Sequence, residues 1–123
     1  PSLQRRTSYI EARREVTLAS MIKHVVAWTF AEDAEGRSKA ENADIVAERL
    51  SALVPLMSGI VEFRLVRPQP GMEASFDLML DSAFTDADAL RAYATHPAHQ
   101  EVGAYIAKVR TGRWAMDYDP DAV

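Results

Sequence analysis

Three histidines are the only side chains of this chain that titrate near neutrality, and two of them sit close together. His96 and His99 fall in the run Leu90-Arg-Ala-Tyr-Ala-Thr-His-Pro-Ala-His99, with Tyr93 just ahead of them; His24 lies far upstream. An imidazole can exchange a proton at pH 7, and a phenol can donate a hydrogen bond to an oxygen that gains charge. A metal site is a poorer use of these residues. His96 and His99 are spaced i, i+3, but Pro97 separates their directions, and no helical His-x-x-x-His pair occurs. There is no cysteine, so disulfides, thiolate metal sites and a cysteine nucleophile are excluded. No glycine-rich phosphate loop is present, and no Ser/His/Asp set can be read from the sequence.

Each candidate also has a plain structural reading. His96 precedes a proline and is placed to cap the helix that follows. His99 falls in the first turn of that helix, either as a cleft base or as a surface residue; the helix N-terminus would keep it neutral. Tyr93 reads equally as a core aromatic, and His24 as a buried, satisfied histidine. Trp28 and Trp114 read as packing or interface residues.

The elements that must position these groups follow from periodicity. Ile22–Phe30 alternates and reads as a strand, with Ile22, His24, Val26, Trp28 and Phe30 on one face and Lys23, Val25, Ala27 and Thr29 on the other. Residues 35–57 read as a helix with Ala43, Val46, Ala47, Leu50, Leu53, Val54 and Met57 on one stripe. Pro55 ends or tightens its last turn, and Gly59 suits a sharp exit. Ile60–Val66 is a second strand, residues 67–71 a loop, and Ser75–Phe84 a third strand with Phe76, Leu78 and Leu80 sharing a face. Thr85 is placed to cap a short helix that stops near Thr95, before Pro97. Pro97 opens another helix to about Val109, Gly112 ends the turn, and Arg113–Tyr118 is the last strand.

The order β-α-β-β-α-β, its second helical element broken in two, is ferredoxin-like. This predicts an α+β protomer with a four-stranded antiparallel sheet and helices on one face. The other sheet face also carries apolar side chains, Val26 and Trp28 counted among them. A second copy packed face to face would cover it, giving a homodimeric α+β barrel.

The chain has 123 residues, 48% hydrophobic and 26% charged, which fits one domain. The net charge of −4 argues against nucleic acid as the main partner. Residues 1–20 form an N-terminal extension, polar and locally basic through Arg5, Arg6, Arg13 and Arg14. It reads as a flexible arm or a short helix around Ser8–Val16. Residues 21–119 form the domain and 120–123 a loose tail. No apolar run reaches the ~20 residues of a membrane span. The first 20 residues lack a secretory pattern, and a cytoplasmic location is expected.

Four segments resemble the stress-responsive α/β-barrel (Dabb) family: Met21-Ile-Lys-His-Val-Val26, Phe76-Asp77-Leu78, Leu90 to His99 with its HPxH signature, and Arg113-Trp-Ala-Met-Asp-Tyr118. The resemblance spans about residues 21–119 and implies a ferredoxin-like protomer that dimerises into a barrel. Many members are known only as stress-induced proteins. Some plant members resemble polyketide cyclases, which close a poly-β-keto chain without metal or organic cofactor. Related barrels include cofactor-free monooxygenases acting on aromatic substrates. Carried over by motif position, the resemblance implies His99 as base, Tyr93 as orienting donor and His24 as a further cavity histidine. The cleft would be lined by Val26, Trp28, Val46, Leu50 and Leu78, with His96 nearby. Leu78 stands where cyclase-type members can carry a histidine, so the cyclase activity itself is not transferred. Two functions result: a cofactor-free cyclase-, lyase- or monooxygenase-like enzyme on a small aromatic or polyketide-like carbonyl compound, or a non-enzymatic stress or ligand-binding dimer.

Overall fold

The computed structural model describes residues 21–123, so the extension expected over residues 1–20 lies outside the described residues. Strand β1 (Ile22–Phe30) is followed by a two-residue hairpin, β2 (Asp33–Ala34) and β3 (Arg37–Ser38), then helix α1 (Lys39–Ser51). A 3-10 turn (Val54–Leu56) leads to β4 (Ile60–Val66) and β5 (Leu78–Phe84). Helices α2 (Ala87–Thr95) and α3 (Pro97–Val109) are followed by β6 (Arg110–Tyr118) and a 3-10 turn at Pro120–Ala122. The main sheet is antiparallel throughout, in the order β4-β5-β1-β6. This is the predicted ferredoxin-like arrangement.

Four boundaries differ from the periodicity reading: the last strand starts at Arg110 rather than Arg113, and three others differ for local reasons. The first helix does not begin at Glu35. Glu35 and Gly36 both have positive φ, 52° and 72°, the tight turn that joins two short strands. The helix starts after Ser38, whose hydroxyl accepts from Glu41 N–H while the Glu41 carboxylate accepts from Ser38 N–H. That reciprocal pair satisfies two donors which a helix start otherwise leaves open. The helix ends at Ser51 instead of running to Met57, because Pro55 allows only a separate 3-10 turn. The third strand begins at Leu78 rather than Ser75, so the loop from β4 runs over residues 67–77.

Asp86, not Thr85, caps α2, its carboxylate accepting from Ala89 N–H at 2.7 Å. Gly112 does not end a turn but lies inside β6, where the Trp114 ring covers it; a Cβ there would sit 2.5 Å from the ring. Gly59 permits an equally close approach, since a Cβ would stand 2.4 Å from the Ala89 Cβ. The tail forms a 3-10 turn capped by Asp119 rather than staying irregular.

The core lies between the sheet and α1–α3. Val26, Trp28, Phe30, Leu78, Leu80 and Phe84 from the sheet meet Val46, Leu50, Val102, Ile106 and Val109 from the helices. The expectation that Val26 and Trp28 face away from the helices is therefore corrected. They alternate with Val25 and Ala27, and it is the latter set that turns to the open face. The register places Met116 beside Val25 and Trp114 beside Ala27 on that open face. Trp114 is 52% exposed and Met116 69%. Phe76 packs against Trp114 there, ring centres 5.0 Å apart, rather than sharing the helix-side face of Leu78. Lys23, on the same open face, is paired with Asp81 at 2.7 Å and Glu62 at 3.4 Å.

Candidate functional site

His24 sits on the helix side of β1, opposite Ser82 of β5 and Asp117 of β6. Its Nδ1 lies 2.5 Å from Asp117 Oδ1, so the carboxylate fixes the ring and leaves Nε2 as the nitrogen available for chemistry. On the other wall, α2 delivers Tyr93 and α3 delivers His99. The two helices break at His96, whose Nδ1 accepts from Ala98 N–H at 3.0 Å and caps α3. That bond occupies His96, and its ring lines a different hollow from the other two histidines. The capping role expected for it is what the structure shows.

The break brings the Tyr93 and His99 rings to 4.4 Å between centres. His24 stands 6.1 Å from Tyr93, edge-on. Tyr93 is 1% exposed and also touches Phe84 and Phe63. Its hydroxyl has no hydrogen-bond partner among the described residues. Burial pushes the phenol pKa well above its ordinary 10, with Arg113 pulling weakly the other way. Tyr93 is therefore a donor throughout the neutral range. His99 Nδ1 lies 3.1 Å from the Ala94 carbonyl, which can only accept, so Nδ1 carries the hydrogen and Nε2 the lone pair. Burial lowers the His99 pKa, the Ala94 carbonyl opposes this, and the charges of His24, Arg113 and His96 add to the lowering. His99 is a neutral imidazole at pH 7.

His24, Tyr93 and His99 line one pocket of about 340 Å³ between the sheet and the helices, together with Val26, Trp28 and Leu50. Val46 and Leu78 do not reach it: Val46 is fully buried in the core, and Leu78 borders a hollow under the 67–77 loop. That loop hollow, about 430 Å³, holds no imidazole or phenol. Asp117, Arg110 and Arg113 were not among the residues singled out from the sequence. The alternation of the last strand carries the signal for two of them. Arg113 and Asp117 share a face, and once β6 is paired with β1 they fall opposite Trp28 and His24. Among the described residues no group of three or more His, Asp or Glu is placed to hold a metal ion, and no helix is long and apolar enough to cross a membrane.

Comparison with known proteins agrees with this architecture. The sequence pattern of the Stress responsive A/B Barrel Domain matches residues 22–120. No curated protein matches the sequence. Among solved structures, a dimeric protein of unknown function and ferredoxin-like fold from Bacteroides fragilis is 27% identical. The match covers 80% of this chain and 95% of that one, with a TM-score of 0.69. A cofactor-independent oxygenase from Streptomyces nogalater is 18% identical over 81% of this chain and 92% of its own, TM-score 0.64. A hydroxynitrile lyase from Passiflora edulis is 13% identical over 80% and 92%, TM-score 0.65. At such identities the two enzymes show the likeness of fold alone.

Proposed function

This chain belongs to the stress-responsive A/B barrel domain family, and on that premise we propose that it is a homodimer whose helix–sheet pocket performs cofactor-independent acid–base chemistry on a small aromatic or polyketide-like carbonyl compound. The observation that carries the reading is the convergence of His24, Tyr93 and His99 on one pocket of about 340 Å³, a volume in the range of small-molecule sites. The dimer is supported by the apolar open face of the sheet, with Trp114 and Met116 exposed on it, and by the dimeric Bacteroides structure.

In the proposed reaction, His99 Nε2 takes a proton from the carbon next to a carbonyl. The electron pair of that C–H bond moves into the enolate, whose oxygen accepts a hydrogen bond from the Tyr93 hydroxyl. The enolate carbon then attacks a second carbonyl carbon, forming a C–C bond, and the resulting alkoxide regains its proton from the His99 imidazolium. No redox partner is needed. The buried walls exclude water and strengthen the Tyr93 hydrogen bond as charge develops. Asp117 holds the His24 ring at the pocket wall, where it can hydrogen-bond the second carbonyl.

The base can be tested without knowing the substrate. 2-Acetylnaphthalene exchanges its methyl-ketone protons slowly in heavy water, and NMR follows the loss of signal. The protein should accelerate that exchange, and His99→Ala should reduce the acceleration by about 10²–10⁴-fold, the usual contribution of a general base, with the dimer intact. Full acceleration in His99→Ala would remove His99 from the role. Binding of the ketone with no exchange would favour the ligand-binding dimer.

A further inference from the structure

The sheet wall of this pocket carries cations that no described residue neutralises. Arg113 lies opposite Trp28 in the β1–β6 register, and Arg110 opposite Phe30. Both border the pocket that His24, Tyr93 and His99 share. Each other arginine of the described residues has a partner: Arg64 meets Glu62, Arg67 meets Asp44, Arg91 meets Asp88, Arg37 reaches the Tyr105 hydroxyl and Arg49 lies over the Tyr105 ring. Arg110 and Arg113 have none among the described residues. Among the described residues no aspartate or glutamate lines the pocket, and Asp117, the carboxylate nearest along the strand, is taken by His24.

A second observation falls on the same wall. Trp28 is 4% exposed, and its indole N–H is the one fully buried side-chain polar group without a partner among the described residues. Trp28 and the two guanidinium groups thus line one pocket, where no described carboxylate answers them. The chain as a whole is acidic, with a net charge of −4, so this wall is a positive island that would draw anions selectively.

We propose that the Trp28–Arg110–Arg113 wall is an anion subsite and that the ligand carries a carboxylate in addition to its reacting carbonyl. This rests on the carbonyl-compound reading above and narrows it to keto acids. Strand geometry sets the scale. Arg113 and Asp117 are four residues apart on one face of β6, roughly 13 Å along the strand, and the arginine side chain reaches back over part of that span. The carboxylate would anchor one end of the molecule and leave its carbonyl against Tyr93 and His99. Guanidinium is suited to this, because its fork matches a carboxylate with two parallel hydrogen bonds.

The test uses two probes of nearly equal shape, 2-naphthoate and 2-acetylnaphthalene, titrated into the ¹⁵N-labelled full chain. The sequence holds two tryptophans, so two indole signals arise, and Trp114→Phe assigns them. Trp114 is on the opposite face and serves as the internal control. Naphthoate should move the Trp28 signal and bind at least about tenfold tighter than the ketone, as a single charge-assisted pair allows. The double variant Arg110→Gln/Arg113→Gln should erase that preference, weakening naphthoate about tenfold more than the ketone. Raising the ionic strength should weaken the wild-type protein's binding of naphthoate and not of ketone, a readout that needs no variant. Equal affinity for both probes, with Trp28 responding, overturns the anion subsite and leaves the carbonyl pocket standing. A Trp28 signal indifferent to both probes overturns the subsite and the pocket reading together.

Discussion

Replacing Tyr93 with phenylalanine separates a catalytic hydroxyl from a structural one, because the two roles predict opposite signs. The ring makes the packing contacts: His99 at 4.4 Å, Phe84 at 5.0 Å, Phe63 at 6.0 Å and His24 at 6.1 Å between centres. Phenylalanine keeps all of them. The hydroxyl has no hydrogen bond to the described residues, so its removal breaks none. Stability should stay level or rise by at most about 1 kcal/mol, a few degrees in melting temperature. Tyr93→Ala, by contrast, empties the ring's place in the core and should cost about 3–5 kcal/mol. In the ketone exchange assay Tyr93→Phe should lose about 10²–10³-fold, the usual effect of deleting one donor to a developing oxyanion. Urea unfolding and the NMR exchange rate, measured on the same preparation, give both numbers. A Tyr93→Phe protein that is less stable by 1 kcal/mol or more and exchanges at the wild-type rate would refute the reasoning, since the hydroxyl would then be a structural bond.

The pH dependence of exchange should show one limb. Burial holds the His99 pKa below the ordinary 6.5 and lifts that of Tyr93 above 10, so the rate should rise through a midpoint below 6.5 and hold level to at least pH 9. A midpoint above 7 would exclude His99 as the base. The same depression links to stability. The unfolded chain binds the His99 proton first as pH falls, so that contribution is intact above 6.5 and is lost as pH drops through the folded-state value; urea midpoints of wild type and His99→Asn should converge at low pH. Trp114→Glu places charge on the open sheet face and should shift the protein from dimer to monomer in sedimentation, with a dimeric variant counting against that face as the interface. Ser38→Ala removes the capping hydroxyl of α1 and should cost about 1 kcal/mol, read as a lowered urea midpoint with exchange unchanged.

The sequence was informative where a single element decides the answer. Alternation in residues 22–30 places His24, Val26 and Trp28 on one face, and the structure keeps them there. Pro97 after His96 marks both the end of α2 and the capped start of α3. It was uninformative where two elements decide. Asp117 becomes a partner of His24 only when β6 lies beside β1, and nothing within either strand states that pairing. Which face of the sheet the helices cover is likewise a three-dimensional outcome, so the sequence alone does not tell the covered face of Val26 and Trp28 from the open one. The misread helix start is different, because Ser38 and Glu41 at i, i+3 spell a capping box. Apolar periodicity beginning at Ala43 hid it by letting the helix extend backwards into the Glu35-Gly36 turn.

The break between α2 and α3 explains how Tyr93 and His99 serve one pocket. They are six residues apart. On a continuous helix they would lie about 9 Å apart along the axis and about 120° apart around it, so they would not share a face. The chain instead leaves the helix at His96, with φ −62° and ψ 133°, and re-enters it at Pro97, whose missing N–H costs nothing at a first helical position. That one extended residue redirects α3 and returns His99 to within 4.4 Å of Tyr93. The imidazole of His96 closes the new helix end, so it acts on the site without lining it. His96→Ala should therefore weaken exchange by misplacing His99, and His96→Asn, which supplies another good capping side chain, should restore it. A catalytic His96 would be rescued by neither substitution.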